Sequence, residues 1–108
     1  MTEFTKHKTG MKAKLLAHKY LIGEDYFVFQ EDTSQPPIDL VAINEHSGAI
    51  RCFEVKTASY RSKDGTLINR CLSARAKDLE QKMKKYIEIL YVDVDTGKVR
   101  IANKTYNL

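Results

Sequence analysis

The chain has 108 residues, 18 Lys and Arg against 14 Asp and Glu, a formal net charge of +4, and 43% hydrophobic and 30% charged residues. A chain of that length is expected to fold as a single domain over residues 1–108, with one hydrophobic core and no separate specificity domain. No apolar run approaches the roughly 18 residues that cross a membrane, and the N-terminal Met-Thr-Glu-Phe-Thr-Lys lacks an apolar signal core, so the expectation is a cytoplasmic protein with no membrane partner.

Taken in chain order, Thr9-Gly10 can open a helix. Ala13, Leu16, Ala17 and Tyr20 then follow at helical spacing, and Gly23 is placed to end it. Tyr26 to Phe29 is aromatic and β-branched and reads as a short strand. Gln30 to Pro37 is a polar loop closed by two prolines. Ile38 to Asn44 and Ala49 to Ala58 read as strands around the turn Glu45-His46-Ser47-Gly48, followed by a basic loop from Tyr60 to Gly65. Thr66 to Cys71 reads as a further strand. Leu72, Ala76, Leu79 and Met83 mark a second helix over 73–85. Ile87 to Asp93 and Lys98 to Ala102 form a hairpin across Asp95-Thr96-Gly97. The order implies an α/β fold, a mixed sheet flanked by helices. Cys52 and Cys71 fall inside these elements at no metal-binding spacing and read as buried thiols.

The positive charge is clustered. Lys6, Lys8, Lys12, Lys14 and Lys19 face only Glu3 in the first 20 residues, and Arg75, Lys77, Lys82, Lys84 and Lys85 form a second group. This balance favours an anionic partner, nucleic acid above all. A solvated lysine surface accounts for the charge equally well.

The hairpin strands carry an anomaly. Asp39 opens the first, and Glu54 and Lys56 lie near the end of the second. Strand side chains alternate between faces, so Glu54 and Lys56 point the same way. If Asn44 pairs with Ala49 across the turn, Ile43 opposes Ile50, Val41 opposes Cys52 and Asp39 opposes Glu54. Two carboxylates then stand about 4.5–5.5 Å apart at Cβ, a destabilising pair of like charges. A divalent cation between them removes the conflict, since carboxylate oxygens suit hard ions such as Mg²⁺. A nearby lysine can then polarise a water or steady charge on a phosphate. The competing reading makes Asp39 a strand-end cap and Glu54–Lys56 an exposed edge-strand pair.

Pro37-Ile38-Asp39, the hairpin, and Glu54-Val55-Lys56 together resemble the signature of the PD-(D/E)XK nuclease superfamily. The element order over about residues 8–95 is similar to that family's restriction-endonuclease-like αβββαβ core, and small members include Holliday-junction resolvases and phage or intron-associated endonucleases. The resemblance implies a Mg²⁺-dependent DNA endonuclease, with Mn²⁺ able to substitute. Asp39, Glu54 and the carbonyl of Val55 would hold the metal, and Lys56 would orient the attacking water. Many members also place a Glu in the first helix. Here Lys14 falls about where that acid would be, with Glu3, Glu31 and Asp32 as acids that could replace it. Lys12, Lys14, Thr57, Tyr60, Arg61 and Lys63 are the residues expected to contact the nucleic acid. A homodimer or higher homo-oligomer would present two sites to two strands. With little surface for reading sequence, recognition would lean on DNA shape and backbone charge, as in a junction resolvase, or serve a phage or homing-type enzyme. The alternatives are a catalytically inert nucleic-acid-binding module on the same fold and a protein-interaction domain whose acids bind a structural ion. His7, His18 and His46 share no metal spacing and read as surface residues.

Overall fold

The computed structural model describes residues 3–31 and 37–102. Seven elements follow in order: α1 (Glu3–Gly23), β1 (Tyr26–Gln30), β2 (Leu40–Asn44), β3 (Ile50–Thr57), α2 (Ala74–Met83), β4 (Ile87–Val92) and β5 (Val99–Ala102). The strands form one mixed sheet in the spatial order β1-β2-β3-β4-β5. All neighbours are antiparallel except β3 and β4, which run parallel. A parallel pair needs a long crossover. Residues 58–86 provide it, carrying α2 on the way.

The helices cover opposite faces of the sheet. On one face, Ala13, Ala17 and Leu21 of α1 pack on Leu40, Ala42, Phe53, Leu90 and Val92. The two alanines let the helix lie close to the strands, and α1 touches all five of them. On the other face, Leu72 and Ala76 pack on Cys52, Ile87, Ile89 and Tyr91. Ile87, Ile89 and Tyr91 alternate along β4 with Leu90 and Val92, so this strand is apolar on both sides, as a covered strand should be. α2 is short and rests on β4. Among the described residues, the β1 end of that face is left uncovered, with Phe27 and Phe29 exposed.

Of the expected hairpin register, Ile43 opposite Ile50 and Val41 opposite Cys52 are observed, but the ladder stops at Leu40 and Phe53, so the expected pairing of Asp39 with Glu54 is not part of it. Three expectations are corrected. α1 begins at Glu3, six residues before Thr9, and Thr9 sits inside it with its hydroxyl donating to the Thr5 carbonyl at 2.9 Å. Residues 66–71 are not a strand. They touch the sheet region through one isolated bridge, Tyr60 to Leu67, and are held by Tyr91, whose hydroxyl oxygen accepts the Arg70 N–H at 2.6 Å. Cys52 is buried but Cys71 is exposed. Asp32 and most of the polar loop before Pro37 lie outside the described residues, as does the side chain of Glu3.

Candidate active site

The site forms where β2 ends early and β3 continues. β2 pairs with β3 only up to Leu40 and Phe53, so the next residues of β3 lose their ladder partner on that side. Asp39 fills the gap. Its N–H donates to the Phe53 carbonyl at 2.8 Å, and its own carbonyl accepts the Glu31 N–H at 2.9 Å. Its Oδ2 accepts the Val55 N–H at 2.7 Å. The carboxylate thus serves as a strand cap, and its position is set by backbone on both sides.

The other carboxylate oxygen of Asp39, Oδ1, lies 3.3 Å from Nζ of Lys14, which reaches over from α1. Glu54 lies one position beyond the paired region, with Oε1 2.6 Å from Nζ of Lys56. Its Oε2 faces the N–H of Ser73 at 3.5 Å, longer than a well-made hydrogen bond. Asp39 is 8% exposed and Glu54 7%. Acidic residues are almost never that buried without partners, and here each has an ammonium. The like-charge conflict read from the register is therefore met by two lysines, one from the hairpin itself and one from α1. The edge-strand reading of Glu54 and Lys56 is excluded, because β3 is the middle strand of five and Glu54 is buried.

The remaining candidates spread outward from this centre. Thr57 ends β3 half-buried. Tyr60, Arg61 and Lys63 follow it in an exposed turn. The turn is stitched together by Arg61 N–H to the Thr66 carbonyl at 2.8 Å and by Asp64, whose Oδ1 accepts the Thr66 hydroxyl at 2.7 Å. The Tyr60 hydroxyl donates to Asp93 Oδ2 at 3.2 Å, which anchors the turn to the end of β4. Lys12 is exposed on α1. A cleft of about 370 Å³ opens beside Asp39, lined by Phe29, Glu31, Ile38, Val41 and Leu79. On the far side of β3, Arg51 makes a two-pronged contact with Glu88, Nε to Oε2 at 2.8 Å. That carboxylate holds the guanidinium pKa above its ordinary value.

The oxygens present fit a hard divalent cation: two buried carboxylates and the nearby backbone of Val55, without sulfur or imidazole. Among the described residues, a second group of possible ligands stands at the opposite end of β2. Asp25, Glu45 and His46 have ligand atoms within 4.8 Å of one another and are all exposed. His46 Nε2 lies 3.5 Å from Asp25 and 3.4 Å from Glu45. The β1–β2 register, with Tyr26 opposite Asn44, carries Asp25 onto Glu45. Pairing those two strands in the sequence would have brought His46 to the acids.

No protein-family model matches the chain, and no curated protein sequence does. Among solved structures, the fold is similar to that of a bacterial homing endonuclease, I-Ssp6803I, with a TM-score of 0.56 and 15% sequence identity. The match covers 86% of this chain and 61% of the other, so the chain spans less than two thirds of that enzyme's length.

Proposed function

We propose that this chain is a metal-dependent DNA endonuclease of the PD-(D/E)XK kind. One observation carries the reading. Buried Glu54 pairs with Lys56, and buried Asp39 accepts the N–H of Val55 between them, where β3 outruns β2 in a fold similar to that of a homing endonuclease. Asp39 Oδ1 and Glu54 would hold Mg²⁺, or Mn²⁺ in its place, with the Val55 carbonyl completing the protein's share. A bound divalent ion supplies Lewis-acid stabilisation of charge on phosphate oxygens. The chain's own residues do the rest. The Val55 N–H fixes the Asp39 carboxylate. Lys56 holds a water against the phosphate. The water oxygen adds to phosphorus as the bridging P–O bond breaks, the attacking water giving up its proton to solvent and the departing oxygen taking one from solvent. Thr57, Tyr60, Arg61, Lys63 and Lys12 bind the strand on either side of the scissile bond.

The natural target is a DNA branch, or a site cut in the manner of a phage or homing enzyme, inside the cytoplasm. The working unit is a homodimer or higher homo-oligomer, a reading supported by Phe27 and Phe29 standing exposed on the open edge strand.

Cleavage of a plain labelled duplex and of a four-way junction, each with Mg²⁺, Mn²⁺ or chelator, tests the assignment. Cutting should require metal and fall by at least about a hundredfold in Glu54→Ala and in Lys56→Ala, the low end of what a positioned proton-handling group contributes. Equal cutting by wild type and Glu54→Ala would reject it. A second reading is favoured by one contact, the Lys14 ammonium on Asp39. If that ion pair excludes metal, the chain is an inert DNA-binding module, tight on both DNAs and unable to cut either.

A further inference from the structure

We propose that Lys14 is the site's built-in second cation: it occupies on Asp39 the place of a second divalent ion, limits the site to one ion, and passes to the scissile phosphate when DNA binds. The inference rests on the nuclease reading above and specifies how the site is charged.

Three observations lead to it. Lys14 Nζ sits 3.3 Å from Asp39 Oδ1, the oxygen left over after Oδ2 has taken the Val55 N–H. Lys14 is partly packed there. It stands one residue after Ala13 and three before Ala17, which are 2% and 0% exposed, so its stem leaves the helix where α1 lies flush on the sheet. Its side chain is itself only 21% exposed. Finally, the donor to Glu54 is a different lysine, at the other carboxylate. Each acid thus has its own ammonium, and the cluster of four side chains is neutral before anything binds.

Formal charge then fixes the ion count. A neutral cluster that takes one divalent ion and one phosphodiester ends with a single net positive charge. An acid at position 14 would need two divalent ions to reach the same value. Lys14 therefore stands in for an ion: the one metal shares Oδ1 with the ammonium, which weakens its binding, and a second metal has no remaining oxygen of Asp39 to take. Binding of phosphate near Asp39 gives that ammonium a new anionic partner and frees Oδ1.

The test is Mn²⁺ titration monitored by the spin-resonance signal of the free ion, on the full chain without DNA. Circular dichroism confirms the fold of each variant. With Asp25→Asn, Glu45→Gln and His46→Ala present throughout to remove the second ligand group, the otherwise unchanged chain and Lys14→Arg should bind one ion. Lys14→Gln should bind one ion about tenfold more tightly, because the competing charge is gone. Lys14→Glu should bind two. Adding a non-cleavable phosphorothioate junction should tighten Mn²⁺ binding in wild type and leave Lys14→Gln nearly unmoved. One ion of wild-type affinity in both Lys14→Gln and Lys14→Glu would overturn the inference while leaving the metal site standing. An ion that survives in Asp39→Asn at wild-type affinity would instead overturn the nuclease site, and the inference with it.

Discussion

Asp39 divides its two oxygens between unlike partners, a backbone N–H and an ammonium. The division separates its structural role from its chemical one. Asp39→Asn keeps an oxygen for the Val55 N–H but loses the charge. Asp39→Ala leaves the part-buried Val55 N–H without its acceptor, a loss of about 1 kcal/mol, the low end for an unsatisfied group. Urea unfolding should therefore show Asp39→Ala clearly less stable than Asp39→Asn, while cleavage is abolished in both. The Glu54–Lys56 pair was readable from the chain because strand alternation puts the two side chains on one face. Lys14 was different. Its number along α1 suggested the neighbourhood, but contact with Asp39 depends on how the helix crosses the sheet, and no local pattern encodes that. The cluster of Asp25, Glu45 and His46 was missed for a related reason: it becomes visible only once β1 is paired with β2.

At the scale of elements, the hairpin, both helices and the final β-turn follow from periodicity and turn residues. Ser73 shows the local logic. Its hydroxyl accepts the Ala76 N–H at 3.1 Å as the N-cap of α2, and Lys84 ends the helix in the left-handed region at φ 54°. Residues 66–71 mislead because, of their apolar side chains, only Leu67 is packed against the second core, while the backbone follows a loop bonded to Tyr91. The β4–β5 turn contains a pH-dependent support. Asp93 accepts the backbone N–H of Thr96 and of Asp95 as well as the Tyr60 hydroxyl, and these bonds, Thr96 first, hold its pKa below the ordinary 3.8. A depressed carboxylate pKa adds stability that is fully present above the ordinary value and is lost as pH falls through the folded one. Thermal unfolding from pH 5 down to about pH 2 should thus fall off more steeply in wild type than in Asp93→Asn.

On the nuclease reading proposed above, the surface offered to DNA draws on a net charge of +4, its basic residues gathered on α1, the turn after β3 and α2. Contacts from such groups are to phosphates, and each one lost should flatten the dependence of log affinity on log salt by about one unit. Arg61→Gln and Lys63→Gln, read by fluorescence anisotropy between low and moderate salt, should each show that change, with weakening of similar size on a duplex and on a junction. Equal slopes in wild type and both variants would move the DNA path away from the turn. The architecture as a whole was legible because each strand's alternation, and the helices between them, agree on one mixed sheet. The open β1 end was not, since covering it depends on how far α2 extends along the sheet.

The parallel pairing of β3 with β4 has a consequence for how the protein reaches its working state. Glu54 and Lys56 lie on the strand whose neighbour arrives only after a crossover of nearly thirty residues has closed. The β2–β3 hairpin is local and can form early, but the parallel contact is remote in sequence and slow to gain. Until it forms, β3 is an edge and Glu54 is open to water, so the two acids are not yet forced together in a dry setting. Burial of Glu54 is thereby tied to a long-range step of folding, and on the nuclease reading proposed above a nascent or partly folded chain would have no competent centre.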